Sequence, residues 1–79
     1  MDDFKNLTDE QLEELIRTEY REKIIDFAKL AKKEEIAIRL IDSLDNKESQ
    51  TPTQRLFLQK IKNHMREGTF LSKLVLGNG

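Results

Sequence analysis

The sequence predicts an all-α protein. A long N-terminal helix forms a hairpin with a second helix, a short C-terminal helix follows, and the whole packs as a dimeric helical bundle. Three observations carry this. No glycine or proline falls between Thr8 and Gln50. Two segments, "LTDEQL" and "TPTQRL", carry helix-start signals. Apolar residues recur at helical spacing, and no alternating stretch offers a strand for pairing.

The first helix starts at Thr8. Its hydroxyl and the side chain of Gln11, three residues on, match a capping box, in which each satisfies an otherwise unpaired backbone N–H. Leu7 and Leu12 are placed to form a hydrophobic staple, and Asp9 and Glu10 sit where the helix dipole favours negative charge. No equally clear stop follows. Leu12, Ile16, Tyr20, Ile24, Phe27, Leu30, Ala31, Ala37, Ile38, Ile41 and Leu44 hold one broad apolar face, with no phase reset across Lys32–Glu35. The expectation is one helix over about residues 9–45, bent near Glu34, some 55 Å long at about 1.5 Å per residue. The alternative is two helices broken near Lys32, which gives a more compact bundle.

Asp45 to Gln50, "DNKESQ", reads as the connecting loop. The next helix covers 52–67. Thr51 is its N-cap, Pro52 takes the first helical position and Gln54 completes a second capping box. Gly68 is placed to close it in the left-handed conformation, with Arg66 in the last turn. Phe57, Leu58, Ile61 and Met65 form its apolar face, His64 lies at the edge and Leu56 lies off it. In the tail, Phe70, Leu71, Leu74 and Val75 share one side of a short helix that Thr69 begins and Gly77 ends.

The 79 residues are read as one small helical domain, 1–79. A single core is marginal at this size, and chains this short often draw on a metal, disulfides or a second subunit. The chain has no cysteine, which removes disulfides, thiolate metal sites and cysteine catalysis. Its acidic, polar start lacks the basic and apolar regions of a secretory signal. No apolar stretch approaches the roughly 20 residues that span a bilayer. A cytoplasmic protein is expected, with no membrane partner.

Net charge is −1, but it is unevenly spread. Residues 1–50 hold 14 acids and 9 bases, whereas 51–79 hold five bases and one acid. Either the two halves attract each other in the fold, or the basic half meets an anionic partner.

Catalytic patterns are lacking. Ser43, Ser49 and Ser72 stand beside no histidine or nucleophile motif. The carboxylates have the spacing of a solvated helix surface, and no glycine-rich phosphate loop is present. His64 and Glu67 share a helix side, yet a zinc site needs three or four protein ligands. The expectation is no enzyme, no cofactor and no metal.

Three functional readings follow. The leading one is a homodimeric protein-interaction module: an adaptor, regulator or inhibitor. Ile24, Phe27, Ala31, Ile38 and Ile41 are its self-association residues, and Phe70, Leu71, Leu74 and Val75 dock a partner. It rests on an apolar face longer than the helices available to cover it. The second reading is a dimeric DNA-binding transcriptional regulator. Arg55, Gln59, Lys62 and Arg66 would then form a ridge that contacts phosphates and bases. The third is a structural component of a phage or plasmid assembly. The opening "LTDEQLEELI" follows from capping physics alone and carries no family signature.

Overall fold

A computed structural model describes residues 3–68, and every regular element in them is helical. A 3-10 turn at Asp3–Asn6 leads into helix α1, Asp9–Thr18. Helices α2, Arg21–Leu30, and α3, Glu34–Asp42, follow. A second 3-10 turn at Lys47–Ser49 connects to α4, Pro52–Glu67. The expected C-terminal helix lies outside the described residues.

Both capping boxes form. Thr8 Oγ1 accepts the Gln11 N–H at 3.1 Å, and Gln11 Oε1 accepts the Thr8 N–H at 2.9 Å. Thr51 and Gln54 repeat the exchange at 3.1 and 3.0 Å. Each pair satisfies two backbone donors that the helix itself leaves orphaned. Gly68 closes α4 at φ 71°, as its position after Arg66 and Glu67 implies.

The expected helix over 9–45 is corrected: it is three helices. An unbroken one would run about 55 Å at 1.5 Å per residue, whereas the longest extent here is 34 Å. The break near Lys32 is the one the sequence offered as an alternative. Lys32 adopts the left-handed conformation at φ 59°. The Lys33 N–H donates to Ala28 O at 2.7 Å and the Lys32 N–H to Lys29 O at 3.1 Å. These two bonds make a Schellman closure, with lysine where glycine usually stands.

The break before Tyr20 was not expected. Thr18 Oγ1 donates back to Glu14 O at 2.8 Å, a side-chain bond that bends helices. The N–H groups of Glu19 and Tyr20 both reach Leu15 O, at 2.8 and 2.9 Å, closing α1 with a widened last turn. Tyr20 then packs edge-on against Phe4, with ring centroids 5.9 Å apart.

The break has a clear gain. At about 100° per residue, a straight helix would set Leu12 and Ala28 about 160° apart. Both are fully buried, so the chain must turn between them. The core therefore draws on all four helices: Leu12 and Ile16 from α1, Ile24 and Ala28 from α2, Ala37, Leu40 and Ile41 from α3, and Phe57, Leu58, Ile61 and Met65 from α4. Leu44 joins them from the connection, and Phe4, Leu7, Leu15, Tyr20, Ile25, Phe27 and Ile36 pack around this centre. Among the described residues, no buried side-chain nitrogen or oxygen lacks a hydrogen-bond partner.

Candidate functional site

The charge asymmetry of the sequence resolves at the seam between α1 and α4. Asp9 and Glu13 lie one turn apart on α1, and Lys62 and Arg66 lie one turn apart on α4, so the two pairs meet face to face. Lys62 is buried, with its Nζ 3.0 Å from Glu13 Oε2 and 3.3 Å from Asp9 Oδ2. Arg66 pairs with Asp9, and Lys47 from the connection reaches Glu13 Oε1 at 3.3 Å. The Arg66 hydrogen bond, reinforced by the Lys62 charge, holds the Asp9 carboxyl below its ordinary value of 3.8. Arg17 adds a further tie, to Glu14 at 2.7 Å and Asp45 at 3.2 Å.

This seam changes the expected ridge of Arg55, Gln59, Lys62 and Arg66. The sequence places all four on the wet side of α4. Instead, Lys62 and Arg66 turn toward α1, and Lys62 is buried beneath its two carboxylates. Arg55 and Gln59 are exposed, with Arg55 Nη2 donating to Gln50 O at 3.3 Å and Gln59 Nε2 to Asn63 Oδ1 at 3.1 Å. No continuous row of four outward groups forms. The pairings escape a reading of α4 alone because the partners are 49 and 57 residues away in sequence.

The five expected self-association residues are likewise divided. Ile24 and Ile41 lie inside the chain's own core, Phe27 and Ile38 are half-buried, and Ala31 is exposed. The stripe that looked too long for its cover has been cut into three and folded on itself. Phe70, Leu71, Leu74 and Val75 lie outside the described residues. His64 is exposed near the end of α4, and among the described residues no group of three or more histidine, cysteine or acidic side chains is placed to hold a metal.

The α2–α3 corner is the region that sequence reasoning missed. Leu30 is 83 % exposed on the last turn of α2. It lies about 120° from Ile24 and about 160° from Ala28 around the helix, and so faces away from the core. Exposed Lys29, Lys32 and Lys33 flank it in the chain, and exposed Glu34 and Glu35 open α3. With Ile36 these five charged residues line an open concavity of about 530 Å³. None of the five charged side chains makes a hydrogen bond or ion pair among the described residues. Leu30 was readable as outward only once α2 was separated from α1 and α3, because the phase of the supposed long helix assigned it to the stripe.

A second concavity, of about 190 Å³, lies between α1 and the connection and is lined by Glu10, Glu13, Glu14, Arg17, Leu44, Asp45 and Lys47. Neither hollow has the mostly apolar lining with a few convergent polar groups that suits a small organic ligand. Among the described residues no helix is long and apolar enough to cross a membrane. The chain matches no protein-family model, no curated protein and no solved structure.

Proposed function

We propose that this chain is a small non-enzymatic protein-interaction module that self-associates and acts as an adaptor, regulator or inhibitor. One observation carries the reading. Leu30 and Leu56 stand 83 % and 61 % exposed on two different helices, beside a core that each helix already fills with its own buried residues. Apolar side chains left outside a filled core are available to another protein surface. The sequence of the C-terminal segment adds Phe70, Leu71, Leu74 and Val75 as the residues proposed to dock a partner.

The absence of a catalytic role is part of the proposal. What supports it is the use of the charged groups: the most buried ones among the described residues, Lys62 and Glu13, are spent on each other.

The test is a capture experiment with the intact chain, a chain ending at Gly68, and a Leu56→Gln variant, read by quantitative mass spectrometry. The reading expects a saturable partner that binds the intact chain and is lost on truncation while the helical fold is retained. A partner set identical for all three proteins, or none, contradicts it.

The DNA-binding reading draws on α4 through Arg55 and Gln59, without Lys62. It also has to contend with the short α2–α3 turn, whose second helix opens with Glu34 and Glu35 and carries Asp42. Acidic groups on the helix that would enter a groove repel phosphate. Fluorescence anisotropy with a labelled duplex at about 50 mM salt decides it, since phosphate contacts are strongest at low salt.

A further inference from the structure

We propose that two copies of this chain associate about a two-fold axis through the α2–α3 corner. Leu30 of each copy sits at the centre, and the lysines of one copy face the glutamates of the other. This rests on the reading of the chain as a self-associating module and names the surface it uses.

Three independent features meet at this corner. The first is Leu30, the most exposed of the large apolar side chains among the described residues, carried on the outward side of α2. The second is the order of the charges. Lys29, Lys32 and Lys33 come first, and Glu34 and Glu35 follow. The signs are separated along the chain, and all five side chains are exposed, without hydrogen-bond or ion-pair partners among the described residues. A two-fold contact uses the same patch twice, so the patch must complement itself. A patch of one sign would repel its copy. A patch with cations at one end and anions at the other matches its copy when turned by 180°. A foreign partner of single sign would instead meet like charge over half its area. The net charge of −1 opposes the approach of a second copy only weakly.

The third feature is Lys32 itself. It holds the left-handed conformation at φ 59°, which a side chain adopts at a cost that glycine avoids. The two backbone bonds that close α2 hold it there, while its side chain makes no hydrogen bond or ion pair among the described residues and is left to the surface. Of the five residues on which the sequence places self-association, Ile24, Phe27, Ala31, Ile38 and Ile41, the core consumes Ile24 and Ile41. The corner takes over that role with residues that are open to solvent.

The test is sedimentation equilibrium of the full chain and three variants, each checked for its helical spectrum and melting. Leu30→Gln removes the apolar centre and keeps a good helix former. Lys29→Glu with Lys33→Glu makes the patch wholly acidic but for Lys32, and Glu34→Lys with Glu35→Lys makes it wholly basic. The proposal expects a dimeric parent, three monomeric variants, and a dimer restored when the acidic and basic variants are mixed in equal amounts. A monomeric parent at high micromolar concentration overturns both this surface and the self-association reading. A dimer that survives all three variants overturns the surface alone and leaves self-association standing.

Discussion

The α1–α4 seam and the α2–α3 corner use the same kinds of residue to opposite ends. In the seam, Asp9, Glu13, Lys47, Lys62 and Arg66 are joined in one network, and Thr8 and Thr51 cap the two helices involved. In the corner, five charged side chains stand unpaired among the described residues, α2 and α3 start without a side-chain cap, and the turn is made by a lysine in a glycine's conformation. The difference separates residues that hold the fold from residues that the fold merely carries. Net charge and composition cannot make that distinction, because both regions are rich in lysine and glutamate.

The largest effect is expected in the seam. Lys62→Ala leaves Glu13 buried with only Lys47 for company, and breaking a buried pair by removing one partner costs about 3 kcal/mol. Urea unfolding measures this. Replacing both members, Lys62→Met with Glu13→Leu, is expected to stay within about 1 kcal/mol of the parent, since the desolvation of both charges is then removed. If the double variant is as damaged as the single one, the network contributes more than a compensated pair.

Acid sharpens the same point. The Asp9 carboxyl is held below 3.8 in the folded chain by Arg66 and Lys62. A group whose folded value is depressed stabilises the fold above its unfolded value and loses that contribution as pH falls through the folded one. Stability should therefore decline as pH drops below about 4, the unfolded carboxylate range. In Asp9→Asn the decline should be shallower, which thermal melting across that range reads out. Asp9 is about half exposed, so the effect is smaller than that of Lys62.

Capping comes next. Thr51→Ala is expected to cost about 1 kcal/mol, because the Gln54 N–H loses its acceptor. In the corner the sign reverses. Lys32→Gly relieves the left-handed strain and gives back part of it as extra freedom in the unfolded chain. A net gain of about 0.5 kcal/mol in unfolding free energy is expected, and a loss would mean that the Lys32 side chain supports the fold. The smallest effect is Leu30→Gln, within about 0.5 kcal/mol of the parent in the isolated fold, as for surface sites generally.

What the sequence disclosed about the fold was local. Thr8 with Gln11, Thr51 with Pro52 and Gln54, and Gly68 each mark a helix end by chemistry within a few residues, and each was read correctly. Of the two breaks before α4, the one near Lys32 was offered only as an alternative and the one at Tyr20 was not seen, for physical reasons. Lys32 makes a glycine-type closure without glycine. The break at Tyr20 has no glycine or proline to announce it: Thr18 bonds back to Glu14 O, and the Tyr20 ring packs on Phe4, far back in the chain. Both errors propagated to the site. With three helices read as one, Ile24 and Ile41 looked like an open stripe, Leu30 looked like part of it, and Lys62 looked solvated. Their true settings follow only from which helix meets which.

The central claim is that the seam makes the fold and the corner makes the contact. The melting temperature of the parent and of Leu30→Gln, followed across a wide range of protein concentration, tests it most directly, because association stabilises by mass action. The account predicts a melting temperature that climbs with concentration in the parent and stays flat in Leu30→Gln, with the two meeting at low concentration. A parent whose melting temperature is independent of concentration would contradict it, as would a Leu30→Gln chain that melts lower by the same margin at every concentration.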